Sequence, residues 1–595
     1  MFDGRIYRVA FVPLLLVLVV VGFSLAGRPA SLRSTLAPDA FDGQRAFAEL
    51  KALSRRFPDR GPGSPGDAQL AAYITGVLHR LGGSSTGSGS GFQVSTRRFQ
   101  AQTVEGTRTL TTVIAERPGS TGLSPIAIVA HRDAVARGSV AELSGTAALL
   151  ELARVFSQSE TRRTIVLVST SGGSGGDGGA NQFAGSGRTL DAAIVLGDLA
   201  GATAHKPFVL PFSSGQSAAP ESLGGTVESA IAQEVGVTPG ARSVPAQLAH
   251  LVFPLSTGEQ AAFEDAGTPA VLLQVSGERG PSAGTPVSET RLVNFSRAAL
   301  TATYALDEGP DIARSASPRL LLGHKTFPGW AIRLLALALL LPPSIVCVDA
   351  LARMRRRKES LGRWLAWTLA AAVPFFGAAL FAILLGALGI VAAPAGQLSV
   401  AALSADGTVA GALAATLLVL VLGLLAWPAL VRRMALPLRP NAEGAGLAAL
   451  LVALVVALLA WIFNPFACLL VVPALHLWLL AADRRYRPLA VGAVVVSVVP
   501  LGLLLFVYAR ELGLGPLGLA ESSVLALVGG QVGIFAALLW SVALGCLLAI
   551  LMRSLATSPV GPVAGLQDFE DISTRGPLTY AGPGSLGGTE SALRR

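Results

Sequence analysis

Long apolar stretches divide the chain into one segment of mixed polarity and a series of closely spaced hydrophobic runs. A hydrocarbon core about 30 Å thick is crossed by about 20 helical residues, and eight stretches are near that length. One precedes the mixed segment and seven follow it. The pattern predicts spans over 9–26, 330–350, 366–391, 409–431, 444–463, 466–482, 488–508 and 525–552.

These spans predict four parts of the chain. Residues 1–27 form an amino-terminal stub and anchor, and 28–328 form a water-exposed outer domain. Residues 329–553 form an all-α polytopic membrane bundle of seven spans. Residues 554–595, rich in Gly, Pro, Ser and Thr, form a tail that we expect to be disordered, because it has too few apolar residues to bury.

Arginines lie at alternate ends of the predicted spans, and such basic flanks are retained in the cytoplasm. We therefore expect a multi-pass plasma-membrane protein with both termini cytoplasmic and residues 28–328 extracytoplasmic. An alternative stays open for the first stretch, because Ser24, Ala26 and Gly27 offer the small residues of a signal-peptide cleavage site. The basic flanks are Arg5, Arg8, Arg353, Arg355, Arg356, Arg357, Lys358, Arg432, Arg433, Arg484, Arg485, Arg487 and Arg553.

Composition agrees with a membrane protein and narrows its partners. Hydrophobic residues make up 51% of the chain, charged residues 14%, and the mean hydropathy is +0.57, beyond the usual range of soluble proteins. The net charge of +9 comes largely from the flanking arginines, which indicates contact with anionic membrane lipid and no nucleic-acid partner. Cys347, Cys468 and Cys546 all lie in predicted spans, so we expect no disulfide in the outer domain.

Short apolar strands alternate with helices in the outer segment. This alternation predicts an α/β sandwich with a central, mostly parallel mixed sheet that helices cover on both faces. The predicted helices are 66–81, 144–157, 259–266 and 294–306. The predicted strands are 93–100, 110–116, 126–130, 164–170, 193–197 and 269–275.

Polar or glycine-rich positions follow three of these strands. His131 and Asp133 follow the strand that ends at 130, a glycine-rich run over 172–179 follows the next, and Asp198 follows the strand over 193–197. Ligands gather at the carboxyl ends of the strands in such sheets. The His-x-Asp pair is typical of a metal-dependent hydrolase, whereas small residues stand where further metal ligands would be expected.

Five elements of this segment resemble, in order, those of the zinc-dependent aminopeptidases and glutamate carboxypeptidase-like proteins, a family that includes the transferrin receptor ectodomain. The resemblance implies an aminopeptidase-like fold over about residues 45 to 306. Catalytic members of that family hold two zinc ions, and a glutamate acts as general base on a metal-bound water. The matching elements are 55–66, 130–133, 144–153, 196–201 and 266–273.

The resemblance assigns only part of the family's metal site to this chain. It implies that His131 and Asp198 are ligands of one zinc ion and that Asp133 orients the site. The other positions depart from the family pattern. Those of the bridging aspartate, the paired glutamates and the closing histidine hold, respectively, Ala141, Gly173 with Ser174, and Gly284.

Two hypotheses follow from this partial match. Two ligands do not close a tetrahedral zinc site, so the first is a non-catalytic scaffold without a cofactor that binds a peptide or protein partner. In that case His131 and Asp133 are inherited residues held by hydrogen bonds at a strand end. The second is an active membrane-bound zinc metallopeptidase of the aminopeptidase type, in which Glu142 substitutes for the missing carboxylate and zinc is the cofactor.

Two features bear on the membrane part. His476 lies deep in a predicted span, where ionisable residues often mark function. Transport through the bundle would depend on it, whereas a packing or interhelical hydrogen-bonding role is the simpler interpretation. The layout of one anchor, a peptidase-like domain without its ligands and seven spans is similar to that of the peptidase-like subunit of GPI transamidase, which implies a scaffold that presents a peptide or a partner to another enzyme.

Overall fold

The computed structural model describes most of the chain. The described residues are 4–83, 91–215, 217–238, 240, 243–255, 258–314, 318–356, 360–392, 407–436, 443–482 and 487–556. Most of the predicted disordered tail lies outside the described residues. So do four of the basic flanks used to predict orientation, namely Arg357, Lys358, Arg484 and Arg485.

A seven-stranded mixed sheet forms the centre of the outer domain. The strands of the described residues are β1 (Ala26–Gly27), β2 (Gln93–Thr103), β3 (Gly106–Arg117), β4 (Ile126–His131), β5 (Ile165–Thr170), β6 (Ala192–Leu196), β7 (Val209–Leu210), β8 (Ala270–Leu273), β9 (Arg319–Leu322) and β10 (Lys325–Pro328). The order of the large sheet is β2-β3-β5-β4-β6-β8-β7. Strands β5, β4, β6 and β8 run parallel, and β2, β3 and β7 pair antiparallel. The prediction of a mostly parallel mixed sheet is confirmed.

Strand β4 shows how the sequence builds a core on both faces of this sheet. Ile126, Ile128 and Ala130 belong to one hydrophobic cluster, and Ala127 and Val129 belong to another. Successive side chains of a strand point to opposite faces, so an unbroken apolar strand suits a sheet that is covered on both sides. The predicted α/β sandwich is therefore confirmed.

Helices precede and cover the large sheet. The predicted helices over 66–81, 144–157, 259–266 and 294–306 are present with shifted ends, and four others were not predicted. One of these, α6, begins inside the glycine-rich run. The helices up to the end of the outer domain are α1 (Gly4–Val9), α2 (Phe11–Phe23), α3 (Gly43–Arg56), α4 (Pro65–Gly83), α5 (Ser144–Gln158), α6 (Gly178–Ala184), α7 (Glu221–Val235), α8 (Val244–Val252), α9 (Gln260–Asp265) and α10 (Glu289–Glu308).

An all-helical bundle follows the outer domain. Six helices of the described residues, α11, α12, α13, α14, α16 and α18 in the list below, are long and apolar enough to span a membrane, and shorter apolar helices accompany them. The bundle helices are α11 (Gly329–Arg356), α12 (Gly362–Ala387), α13 (Thr408–Arg433), α14 (Glu443–Phe463), α15 (Pro465–Ala482), α16 (Arg487–Leu512), α17 (Pro516–Val528) and α18 (Ile534–Leu555).

The structure divides the last of the eight predicted spans. Instead of one helix over 525–552, α17 ends at Val528 and α18 begins at Ile534. Gly529 and Gly530 separate them, and Gly530 has a φ of +76°, a conformation that glycine adopts at no steric cost. The apolar pattern continues through this break, so hydropathy alone placed the span too early in the chain.

A small three-stranded sheet joins the end of the amino-terminal anchor to the end of the outer domain. Strand β1 pairs with β10, with Ala26 opposite Thr326, and β10 pairs with β9. The next residue, Arg28, forms ion pairs with Glu221 at 3.0 Å and with Glu228 at 2.7 Å. Strands of two to four residues give no periodic signal, so the sequence did not predict this sheet.

The outer domain and the bundle share a hydrophobic cluster. Ala249 and Leu251 of α8 belong to it together with Ile332 of α11, Phe466 of α15 and Leu504 of α16. Helix α8 therefore packs directly on the membrane part of the chain, and the two parts form one continuous structure at this point.

Candidate functional site

The residues singled out by sequence lie at the carboxyl ends of three adjacent parallel strands. His131 is the last residue of β4, the 172–174 loop follows β5, and Asp198 follows β6 by two residues. Helix α5 starts close to the same edge, because a Cβ atom at Gly145 would lie 2.4 Å from the carbonyl oxygen of Leu196. Glycine is therefore required there for the helix to approach the sheet.

His131 forms an ion pair with Glu142. Its Nε2 lies 2.8 Å from Oε2 of Glu142, which stands in the turn before α5. Burial by itself would lower the pKa of His131, but the hydrogen bond and charge of Glu142, with the charge of Glu259, outweigh it and raise the pKa to about 10. The imidazole is therefore positively charged at neutral pH in this arrangement.

Glu259 approaches the other side of the same imidazole. Its Oε2 lies 3.8 Å from Nδ1 of His131, and its side chain is 1% exposed. Burial raises the pKa of Glu259 to about 7, and the nearby His131 charge opposes that rise. Glu259 directly precedes α9, and the sequence contained no signal that this segment reaches the site.

The carboxyl group of Glu259 lies beside a position where the family carries a glutamate. A Cβ atom at Gly173 would lie 2.9 Å from Cδ of Glu259 and 2.3 Å from Cβ of His131. Both distances are too short for a real side chain. A glutamate at position 173 would therefore have to displace Glu259 or His131.

Asp133 organises the loop after β5. Its carboxylate accepts hydrogen bonds from the amides of Gly172 at 2.8 Å, Gly173 at 3.1 Å and Ser174 at 3.1 Å, and also from the Ser174 hydroxyl. The resemblance assigned this residue to orienting the site, and the structure shows it holding the loop backbone. Gly172 supports the tight turn with a φ of +90°.

Asp198 holds the turn that follows β6. Its Oδ1 accepts hydrogen bonds from the amides of Ala200 at 2.9 Å and Gly201 at 2.7 Å. The adjoining amide of Leu199 donates to the Ser144 hydroxyl at 2.8 Å. Burial raises the pKa of Asp198 to about 6, against the lowering effect of the two amides.

Arg132 lies between His131 and Asp133 and holds the end of β4 in place. Its side chain is completely buried and lies 2.8 Å from Oδ1 of Asp67. It also donates to the carbonyl oxygens of Ser169 and Thr170 at 3.0 Å and of Thr111 at 2.6 Å. Arg132 thus joins α4, β3 and β5, a role that the sequence did not reveal.

Asp177 is a further buried acid near the site. It is 2% exposed and adopts the left-handed backbone conformation with a φ of 50°. Burial raises its pKa well above the usual value, and the charge of Glu259 adds to that rise. It is the single acid of the glycine-rich run over 172–179.

The donor groups at this edge do not fit the family's dinuclear zinc centre. Among the described residues, no three ligand atoms from the groups around His131 and Asp198 lie within 4.8 Å of one another. His131 faces Glu142, while the carboxylates of Asp133 and Asp198 accept backbone amides. Glu142, the possible substitute, therefore approaches His131 without completing a set of three ligands.

His476 forms hydrogen bonds between helices in the bundle. Its Nδ1 lies 2.6 Å from the hydroxyl of Tyr7 in α1, and its Nε2 lies 2.9 Å from the carbonyl oxygen of Leu339 in α11. Both ring nitrogens therefore have partners within the protein.

Part of this chain is similar to known proteins. Residues 112–286 match the model of peptidase family M28, and no curated protein matches the chain. Similar solved structures include a Fimbriiglobus ruber glutaminyl cyclase, with 18% identity, a TM-score of 0.34, and coverage of 47% of this chain and 99% of that chain. A zinc aminopeptidase from Bacillus subtilis has 11% identity, a TM-score of 0.36 and coverage of 46% and 98%. An aminopeptidase from Aneurinibacillus sp. strain AM-1 has 14% identity, a TM-score of 0.34 and coverage of 46% and 96%.

Proposed function

We propose that the outer domain, in which residues 112–286 match the model of peptidase family M28, is a non-catalytic domain that binds a peptide or protein partner. The partner contacts the carboxyl edge of the sheet, and the helical bundle holds the domain at the membrane in contact with lipid. This is a scaffold function, in which a peptidase fold supplies a recognition surface without hydrolysis.

The observation that carries this proposal is that His131 and Asp198 form their polar contacts within the protein. His131 is paired with Glu142 at 2.8 Å, and Asp198 accepts two amides of its own turn. The positions of the missing ligands hold Ala141, Gly173 and Gly284. Removing one partner of a buried ion pair leaves an uncompensated charge in the protein, whereas zinc hydrolysis requires ligands that converge on one point.

The recognition surface has an exposed rim beside Asp198. Gly201 forms a bridge with Val287, so the loop before Val287 borders the strand end that carries Asp198. Gly284 in that loop is exposed, and a side chain there would meet no atom within 4 Å. A partner at this edge would therefore contact residue 284.

Site-specific photo-crosslinking tests the binding function. The full-length chain is expressed in its native membranes with a photoreactive side chain at position 284. We expect this side chain to crosslink to a discrete peptide or protein. The matched control is position 122, an exposed glycine before the amino end of β4 with no atom within 4 Å of its Cβ position. Equal capture at both positions, or none at 284, contradicts the proposal.

The second candidate is an active membrane-bound zinc metallopeptidase that uses His131, Asp198 and Glu142. The observation in its favour is the approach of Glu142 to within 2.8 Å of His131, since the carboxylate comes from the residue next to the bridging position. The two candidates differ in metal-dependent hydrolysis, which the scaffold lacks and the peptidase requires.

We further propose that residues 28–328 are extracytoplasmic and that both termini are cytoplasmic in the plasma membrane. The support is the basic flanks at alternate span ends. The native cysteines are all buried in bundle helices, so a cysteine introduced at position 122 is the reactive one. We expect a membrane-impermeant maleimide to label it in intact cells; labelling only after lysis contradicts this orientation.

A further inference from the structure

A second cluster of potential metal ligands lies where the outer domain meets the bundle. His250 belongs to α8, Glu278 to the short turn Gly277–Arg279, and Glu511 to the last turn of α16. Their ligand atoms all lie within 4.8 Å of one another, and within the described ranges no other group of three does so. Two of these residues come from the outer domain and one from the membrane part.

The two carboxylates converge on one nitrogen of His250. Its Nε2 lies 2.8 Å from both carboxylate oxygens of Glu278 and 3.8 Å from Oε2 of Glu511. The side chains of His250 and Glu278 are 5% and 4% exposed. The side chain of Glu511 is 20% exposed, so three donors from three separate elements surround one largely buried point.

Two aromatic residues contact the imidazole of His250. Phe212 stacks on the ring with centroids 4.0 Å apart and an interplanar angle of 11°. The Tyr508 hydroxyl lies 3.1 Å from the carbonyl oxygen of Leu255 and 3.4 Å from Nδ1 of His250. A phenol has one proton to donate, so when Leu255 accepts it the Tyr508 oxygen accepts the proton of Nδ1.

When Nδ1 carries the proton, the lone pair of Nε2 faces the two carboxylates. Metal-bound histidines are commonly oriented in this way by a partner on the other ring nitrogen. A lone pair facing two carboxylates is repulsive unless a cation lies between them. The three groups carry two negative charges when the imidazole is neutral, and a divalent ion balances both, whereas a proton on Nε2 balances one.

We propose that His250, Glu278 and Glu511 bind a divalent transition-metal ion of the Zn²⁺ class, which fastens the outer domain to helix α16. One imidazole and two carboxylates are donors that Zn²⁺ accepts. The site is separate from the His131 edge, and its low exposure suits a structural ion. Its presence does not depend on whether the outer domain hydrolyses peptides.

Metal analysis of the purified full-length chain in detergent tests the site. After dialysis against a weak chelator, we expect about one zinc ion per chain in the wild type and in His131→Ala. In His250→Asn and Glu511→Gln we expect zinc affinity to fall by at least about tenfold. The matched control is Glu264→Gln, a buried glutamate outside the cluster whose carboxylate accepts the Ala270 amide, which should retain the ion.

Two further readouts keep the outcome clear if a variant folds poorly. Cobalt substitution of the wild type should give ligand-field absorption bands that zinc abolishes, and added zinc should raise the melting temperature of the wild type but not of Glu511→Gln. A wild type without bound metal at saturating zinc overturns the proposal. Zinc that persists in both His250→Asn and Glu511→Gln also overturns it. Zinc that disappears in His131→Ala instead would place the ion at the peptidase-like edge and would count against the scaffold function as well.

Discussion

At the scale of single residues, the charge of His131 follows from its neighbours. Two carboxylates face the imidazole, and together they hold its pKa at about 10 although the ring is buried. A metal ion would have to displace the proton on Nε2 before it could bind there. The residue is thus stabilised as half of an ion pair with Glu142.

Glu142→Gln tests that charge through the pH dependence of stability. A pKa raised from 6.5 to about 10 means that the pair stabilises the fold fully below pH 6.5 and that this contribution is lost as the pH rises through about 10. We expect the variant to be about 2 kcal/mol less stable than the wild type below pH 6.5, with the difference shrinking towards pH 10. Thermal unfolding of the full-length chain in detergent measures it.

The control for this measurement is Glu105→Gln, which removes a surface glutamate paired with Arg108. This substitution should change the free energy of unfolding little at every pH, because exposed ion pairs contribute little to stability. A Glu142→Gln effect that stays constant or grows as the pH rises contradicts the assigned charge of His131.

The sequence predicted part of the residue-scale geometry. His131 and Asp198 could be placed at one sheet edge because each follows an apolar strand of a parallel pattern. Glu259 could not, because its segment reaches the site through a tertiary path that no local pattern encodes. The His250 cluster was missed for the same reason, since its three residues belong to three separate elements.

At the scale of elements, close approach between helices depends on glycine. Helix α18 packs on α12 at Gly545, where a Cβ atom would lie 2.7 Å from the backbone nitrogen of Ala372 and 2.8 Å from its Cα. Small residues let helix backbones approach in membranes, where no hydrophobic effect drives association. This contact therefore fixes the distance between the two helices.

Gly545→Ala is expected to separate α18 from α12 and destabilise the bundle by about 1–3 kcal/mol, as overpacking does. Gly377→Ala is the matched control in α12, because a Cβ atom there meets nothing within 4 Å. That control should leave stability unchanged or raise it by about 0.5–1 kcal/mol. Equal melting temperatures for the two variants would contradict the proposed packing.

Sequence patterns recovered the long elements better than the short ones. Six strands and four helices of the outer domain were found because burial imposes their periodicity, whereas the amphipathic helix α3 was missed. The division between α17 and α18 was missed because hydropathy continues across Gly529 and Gly530. The small sheet of β1, β9 and β10 was missed because its strands are too short to show a period.

At the scale of the whole molecule, Asn464 joins the bundle to the outer domain. Its Oδ1 accepts the amides of Phe466 and Ala467 at 3.1 Å, which caps α15. Its Nδ2 donates to the carbonyl oxygens of Leu251 at 2.9 Å and Val252 at 3.3 Å, at the end of α8. One side chain thus satisfies backbone groups in both parts of the chain.

Asn464→Ser and Asn464→Ala separate these two roles. Serine retains the capping ability but is too short to reach α8, whereas alanine loses both functions. We expect both variants to increase amide hydrogen exchange over 244–252, and only alanine to increase it in the first turn of α15. The free energy of unfolding should be about 1 kcal/mol lower for Asn464→Ala than for Asn464→Ser. Unchanged exchange over 244–252 in both variants would contradict the link.

The central claim, that an M28-type domain is held at the membrane without peptidase chemistry, is tested most directly by hydrolysis. The full-length chain in detergent, with added zinc, is assayed against a panel of aminoacyl p-nitroanilides beside His131→Ala and Asp198→Asn. The account predicts a wild-type rate equal to that of both variants and of the uncatalysed reaction. Zinc-dependent turnover by the wild type that both substitutions abolish would contradict it.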